Sequence, residues 1–481
     1  MSLQFPTRMT NKVKFLRRGI IPRCEASLAI LVLMFSALFV TAIQAATLLD
    51  PRPEPSTTQF GYSVAVIGDI DGDGVPDLAV GAPFQDGDFD SIGGFGPPQD
   101  VGKVWIISGA TLNVISQLND PVFQMIQNRK FGGELGTSVA GVGDLNHDGI
   151  PDILVGVPHH TNFAADHVNC GEAFVFSGAD GSILFTLNDP EEEEGNRMGF
   201  AVAALGDVNG DGVADLLVGV PKKDVSEDLP DVGSAYIFSG ADGSFIRSLD
   251  PPARGGAEAN GRFGAAVADA GDVNHDGVDD ILIGAPGNSR AFVFDGATGA
   301  LIFTMISPAN SNAEKLPSFG FAVAGGKDLD GDGIPDFVIG APLQNGLKGA
   351  AYVFKGSDGA LQRSLRGPRQ GFAKFGYSVA LTTDVTGDGH PDILVGAPDV
   401  SVNGLLNAGE VLVFRGNGRL FSTVTSEAPK AFASFGSAVS TADFNGDGTP
   451  EKVIGVPRED VDLIVHGDVE THLQIGQIEI Q

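Results

Sequence analysis

Cysteine is almost absent from this 481-residue chain, which has only Cys24 and Cys170. Cys24 lies in a leading segment that reads as an export signal, so the mature chain cannot form an internal disulfide, the usual staple of exported proteins. Tryptophan occurs once, as Trp105, and no Asn-x-Ser/Thr glycosylation acceptor is present. Positive charge is also scarce: 30 Lys and Arg stand against 61 Asp and Glu, for a formal net charge of −31. Such a chain is repelled by nucleic acid and anionic membrane surfaces, and it either repels itself or gathers cations. Long helical patterns are missing. Short Val/Ile/Leu/Phe runs are broken by Asp, by 67 Gly and by 28 Pro, which is the composition of an all-β protein.

One apolar run stands apart. Leu28 to Val40 follows Arg8, Lys12, Lys14, Arg17, Arg18 and Arg23 and precedes the small-residue stretch TAIQAA. Basic, apolar, then small is the order of a secretory signal, here residues 1–45 with cleavage near Ala45. The run is short for a membrane span; a signal kept as an anchor is the alternative. Export to the medium or the cell surface is expected, with no membrane span after cleavage.

What the sequence has in plenty is one acidic nonamer. DIDGDGVPD begins at Asp69, DLNHDGIPD at Asp144, DVNGDGVAD at Asp207, DVNHDGVDD at Asp272, DLDGDGIPD at Asp328, DVTGDGHPD at Asp384 and DFNGDGTPE at Asp443. Starts 56 to 75 residues apart mark a repeat architecture. Oxygen-bearing side chains fall at positions 1, 3, 5 and 9 of each copy, with Gly at position 6. They are Asp69, Asp71, Asp73 and Asp77; Asp144, Asn146, Asp148 and Asp152; Asp207, Asn209, Asp211 and Asp215; Asp272, Asn274, Asp276 and Asp280; Asp328, Asp330, Asp332 and Asp336; Asp384, Asp388 and Asp392; Asp443, Asn445, Asp447 and Glu451.

Hard oxygen donors at this spacing suit Ca2+, which takes six to eight oxygen ligands, and the carbonyl at position 7 would add another. Up to seven calcium sites are expected. An EF-hand is excluded, because position 12 is apolar (Val80, Val218) where that motif needs a bidentate Glu. A metal-free Asx turn competes for any single copy, but seven copies at matching places argue against it. Thr386 at position 3 is a poor ligand, so the Asp384 loop is expected to be weakest; Glu451 can still serve. The expected role is structural, with Ca2+ offsetting carboxylate repulsion where no disulfide is available.

Around each nonamer lies a longer unit. The third reads MGFAVAALGD (198–207), the Asp loop, DLLVGVP (215–221), GSAYIFSG (233–240), a tight ADGS turn and FIRSLDP (245–251). These are four short strands whose connections are too short for crossover helices, an antiparallel meander with a hairpin turn at ADG. Four-stranded units repeated radially make a propeller, whereas an open stack needs capping repeats, and none is evident. The last copy has three strands, ending in GQIEIQ (476–481), and ATLLDP (46–51) matches the end of a fourth strand elsewhere. The expected organisation is a signal at 1–45 and a seven-bladed propeller at 46–481. Its N-terminal strand would complete the last blade and close the ring.

The unit resembles the FG-GAP repeat. Phe-Gly opens it at Phe60, Phe263, Phe319, Phe375 and Phe435, with Leu135-Gly136 and Met198-Gly199 as variants; Gly-Ala-Pro or Gly-Val-Pro follows the second strand. Over essentially the whole mature chain it is similar to the propeller of integrin alpha chains, which implies a calcium-binding propeller acting in adhesion. Meander geometry puts the Asp loops opposite the variable loops 84–102, 159–170, 222–232, 399–409 and 458–474. The resemblance implies that this second face recognises an extracellular protein or a surface glycan. An enzyme with its active site in the propeller channel is the alternative, and a structural subunit of a surface complex is a third. No nucleophile elbow, zinc-protease motif or Ser/His/Asp constellation is evident, so no catalytic residue is assigned. The loop HHTNFAADHVNC (159–170) matches no zinc spacing and reads as an ordinary polar loop. Trp105 and the recurring Phe residues read as core.

Overall fold

The computed structural model describes residues 46–49, 58–86, 100–121, 132–161, 168–191, 193–253, 257–308, 318–458, 460–465, 468–474 and 477–480. The expected signal, residues 1–45, lies outside the described residues, as do 87–99 and 162–167 of the first two variable loops. Among the described residues no helix is long and apolar enough to cross a membrane.

Four consecutive strands form each of six four-stranded sheets, all paired antiparallel. In the third repeat these are Val202–Ala204, Leu216–Val220, Ser234–Phe238 and Phe245–Leu249, with Val218 opposite both Val202 and Tyr236. Another four-stranded sheet draws on both ends of the chain: Ala46–Leu49 pairs with Gln477–Ile480, which pairs with Glu451–Val456, which pairs with Ala438–Ala442. The architecture is an all-β propeller of four-stranded antiparallel blades. The 458–474 connection differs from the variable loop expected. It contains a hairpin, Asp460–Val465 against Asp468–Gln474, built from two runs that mix polar and apolar residues in strand fashion.

The hydrophobic pattern follows from position within a blade. Second and third strands are buried over most of their length, and throughout in Asp152–Val157 and Glu172–Phe176, so they read as continuous apolar runs rather than as alternation. The fourth strand, Ile183–Asn188, alternates because one face meets solvent. The core lies between neighbouring sheets: Leu154, Val175 and Leu187 of the second pack on Val218, Tyr236 and Phe238 of the third. Each such side chain contributes about 1.5–3 kcal/mol when fully buried. Trp105 is core as expected, with its Nε1–H donating to Gln85 Oε1 at 3.2 Å. Cys170 is a buried thiol whose Sγ donates to the His160 carbonyl oxygen at 3.6 Å.

The repeat signature is an inter-blade contact. The residue in the Phe position is fully buried whether it is Phe263, Leu135 or Met198. It bridges the Gly that opens the third strand of the preceding blade, as in Gly171–Met198 and Gly233–Phe263. Gly156, of Gly-Val-Pro, faces the next repeat so closely that a Cβ on it would stand 1.9 Å from the Gly199 carbonyl oxygen. Only glycine permits that approach.

Candidate metal centre

Every Asp loop joins the first strand of a blade to its second. Position 9 begins the second strand or, in the third repeat, immediately precedes it, and it is fully buried in Asp77, Asp152, Asp215, Asp280, Asp336 and Asp392. Its carboxylate is a brace. In the third repeat, Asp215 Oδ2 accepts from the backbone N–H of Val208 (2.9 Å) and Asn209 (3.1 Å), and Oδ1 accepts from Gly240 N–H (3.2 Å) at the end of the third strand. The same three-way tie recurs at Asp77 with Ile70, Asp71 and Gly109, and at Asp152 with Leu145, Asn146 and Gly178. Glu451 spans from its longer side chain to Phe444 N–H at 2.9 Å.

Position 1 shapes the loop tip. Asp207 Oδ1 accepts from Gly210 N–H (2.6 Å) and Asp211 N–H (3.1 Å), and Oδ2 from Gly212 N–H (2.7 Å). Gly212 at position 6 has φ of 92°, the left-handed turn the sequence required. Position 4 is also left-handed, and in two repeats it holds His147 and His275, both at φ of 60°. Asn209 Oδ1 and Asp211 Oδ1 accept from the amides two residues on, at 2.8 and 2.9 Å, and both side chains are exposed.

These backbone bonds gather oxygens. In three loops the carboxylate oxygens of three residues lie within 4.8 Å of one another: Asp69, Asp71 and Asp77; Asp328, Asp330 and Asp332; Asp384, Asp388 and Asp392. Asp73 and Asp336 stand outside these groups. The sixth loop converges although Thr386 occupies its third position. There Thr386 Oγ1 donates to Asp392 Oδ1 at 3.3 Å. Loops with Asn at position 3 gather differently, because the amide donates: Asn146 Nδ2 to Asp148 (2.8 Å), Asn209 to Asp211 (2.8 Å), Asn274 to Asp280 (3.4 Å) and Asn445 to Glu451 (2.6 Å). An all-oxygen set of clustered, exposed carboxylates and amides fits a hard divalent cation.

The electrostatics separate the two layers. Burial pushes the position-9 acids up, Asp280 and Asp336 to about 6, with Asp77, Asp152, Asp215, Asp392 and Glu451 shifted in the same direction. At the tip, the hydrogen bond from Asn209 holds Asp211 below the usual carboxylate range.

A further participant was not singled out from the sequence. The residue before the Gly that follows the third strand faces the loop of its own blade. Ser239 Oγ donates to Asp211 at 3.1 Å, Asp295 accepts from Asn274 at 3.2 Å, Lys355 Nζ bonds Asp330, and Arg415 Nε stands 3.5 Å from Asp388. Gln362 Nε2 joins Lys355 on Asp330 at 2.8 Å. The Asp330 contact raises Lys355, and the Lys355 contact lowers Asp330. The loops are therefore not equivalent: the fourth has an extra carboxylate, and the fifth and sixth each carry a tethered cation. Read down the repeats, the sequence shows this position as Ser108, Ser177, Ser239, Asp295, Lys355 and Arg415.

The zinc-like loop yields no such cluster among the described residues. His159 Nδ1 pairs with Glu134 at 2.8 Å and His160 Nδ1 with Glu172 at 3.1 Å, while His167 lies outside the described residues.

The pattern of the FG-GAP repeat family is matched at residues 60–107, 135–168, 198–238, 263–302, 319–354, 375–414 and 435–471. The chain is 34% identical over 217 residues to integrin alpha-5 of Xenopus laevis, covering 43% of this chain and 20% of that one. It is 30% identical over 296 residues to integrin alpha-V of Gallus gallus, covering 57% and 27%. Against integrin alpha-4 of Xenopus laevis it is 29% identical over 283 residues, covering 56% and 26%. The matched part thus spans about a quarter or less of the length of these relatives. The chain belongs to the FG-GAP repeat family, and its fold is an integrin alpha-like β-propeller.

Proposed function

We propose that this chain is an exported, calcium-braced, seven-bladed propeller that serves as an extracellular interaction or adhesion module rather than as an enzyme. The observation that carries the reading is the division of each blade into two ends. At one end lie the acidic loops, three of which gather carboxylate oxygens; at the other, residues from all seven repeats meet around one cavity. Closure of the ring is supported by the pairing of Ala46–Leu49 with Gln477–Ile480. It is supported again at Gly455, where a Cβ would stand 2.2 Å from the Gly61 carbonyl oxygen, the contact that joins successive repeats elsewhere. Among the described residues the cavity lining holds no His and no Cys, and one carboxylate, Asp399, which favours binding over catalysis.

Calcium would be held by positions 1, 3 and 5 of each loop, with position 9 supplying oxygen from the brace. The bound ion contributes two positive charges where carboxylates crowd. In the Asn loops the amide would present Oδ1 in place of the N–H that now bridges the acids. Calcium titration of the mature chain by calorimetry, with melting followed in parallel, tests the reading. Six or seven sites and a raised melting temperature are expected; absence of both heat and shift would refute calcium as the brace. Replacing loops 84–102 and 159–170 by short turns tests the interaction face, since partner binding should be lost while melting is retained.

A further inference from the structure

The cavity at the end of the blades opposite the Asp loops has a lining of the reverse electrostatic character. The cavity has a volume of ≈ 660 Å³, and among the described residues its charged lining is Arg197, Lys222, Arg262, Lys374 and Arg458 against the single acid Asp399. In a chain with 30 basic and 61 acidic residues, that local excess of cations is the opposite of the bulk composition. Two of the five are already engaged: Lys222 pairs with Asp231 at 2.7 Å and Lys374 with Asp399 at 2.9 Å. Arg197, Arg262 and Arg458 have no ion pair among the described residues.

The repeat signature itself fixes these positions. Arg197, Arg262 and Lys374 each precede the buried residue that opens a repeat, and all three have left-handed backbone, with φ of 57°, 55° and 51°. Their amides are tied to the neighbouring blade, as in Arg262 N–H to the Asp231 carbonyl at 2.9 Å. Lys222 and Arg458 follow the Pro of Gly-Val-Pro. Between the cations lies an aromatic floor. Tyr62, Phe200, Phe321 and Tyr377 occupy one repeat position, two residues after the Phe slot, with the Phe321 and Tyr377 rings 5.1 Å apart. Burial raises the phenols of Tyr62 and Tyr377, so both stay neutral beside the cations.

We infer that this cavity is a binding site for an acidic peptide segment of a partner protein. The carboxylates seat on Arg197, Arg262 and Arg458, and the aliphatic stems and backbone lie on the ring of Phe and Tyr. Planar guanidinium groups match carboxylates bidentately, and the volume is that of a pocket for a few side chains. A sulfated glycan would set little apolar surface against this floor. The inference rests on the reading of the chain as an interaction module and names what that module takes.

The test is selection of random displayed peptides on the mature chain in calcium buffer, then anisotropy of the selected peptides against wild type and the Arg197→Ser/Arg262→Ser/Arg458→Ser variant. Selected sequences rich in Asp and Glu are expected, with binding weakened at least tenfold by the triple variant and by added salt. Each single Arg→Ser variant is measured too, so that a misfolded triple variant still leaves a readout. Selected peptides with no acidic excess, or binding unchanged by the substitutions, would overturn the inference and leave the interaction module standing. Retention of heparin at the mouth without any acidic peptide would overturn it in favour of the glycan class. If no peptide is selected while calcium still raises the melting temperature, the acidic-segment inference fails and the calcium brace survives; if neither is seen, both fail.

Discussion

Lys355 reaches from the end of its third strand to the Asp330 carboxylate, across 25 residues of sequence, and places an ammonium group inside the fifth Asp loop. Arg415 makes the corresponding approach to Asp388 in the sixth. A tethered cation competes with a free one for the same carboxylates. Lys355→Ser and Arg415→Ser, which restore the residue found in the first three repeats, should each tighten calcium at their own loop by about tenfold, the effect of removing one like charge from a partly exposed site. Calorimetric titration of each variant checks this, and unchanged affinities would show that the side chains swing aside without cost.

Brace and tip are predicted to separate by mutation. Asp215→Asn removes one of two acceptor oxygens under three backbone N–H donors and should destabilise the metal-free chain by about 3 kcal/mol. Asp211→Asn alters the exposed tip and its bond from Ser239. It should lower metal-free melting much less than Asp215→Asn does, and reduce the stabilisation that calcium adds. Melting of both variants, with and without chelator, distinguishes the two roles.

In chelator, stability should fall as pH rises from about 4 to about 6.5. Asp269, Asp280 and Asp336 hold their protons to about 6 in the folded state, chiefly because burial penalises the carboxylate. Unfolded carboxylates let go near 4. Between those values the folded chain binds more protons than the unfolded one, so raising the pH favours unfolding. The acids held low, such as Asp211 and Asp330, act below this window, where their stabilisation is lost on acidification. Calcium favours the ionised form and should flatten or reverse the slope. Melting temperatures at pH 5 and pH 7.5, each in chelator and in calcium, give the answer.

Gly156→Ala forces a methyl group toward the Gly199 carbonyl of the next blade and should cost about 3 kcal/mol or prevent folding. Gly72→Ala, at a left-handed tip position with open space around it, should cost about 1 kcal/mol. Denaturant unfolding of the pair checks whether the signature glycine is a packing residue.

The blade was legible because its parts are local. Strand, Asp loop, strand and a tight turn follow one another in the chain, and the Phe-Gly mark or its variant and Gly-Ala-Pro or Gly-Val-Pro recur from repeat to repeat. Asp77, Asp152 and their counterparts were legible as important residues but not as braces, since the amides they tie, such as Gly109 and Gly178, are contributed by the third strand. The Asn residues at position 3 were read as oxygen donors; their Oδ1 atoms accept backbone N–H bonds, and their Nδ2 groups also donate to the acids, a second bond that spacing does not encode. Lys355 and Arg415 escaped notice because a single cation after a strand carries no local signal; only alignment of the repeats exposes it. The hairpin within 460–474 was hidden by a non-repeating insertion. Arg197, Arg262 and Arg458 stand in three different repeats, and only the folded chain gathers them around one cavity.

The Asp215 arrangement separates two clocks. Its oxygens lock the base of the loop to the third strand through buried N–H donors, while Asn209 and Asp211 stand in solvent above it. An ion at the tip can leave and be replaced without any strand being unzipped. Ion turnover would thus be a surface event, set by diffusion and by the ambient concentration, whereas loss of the sheet is a core event set by the unfolding barrier. Occupancy would follow the calcium level of the surroundings from moment to moment, and the blades would outlast many such exchanges.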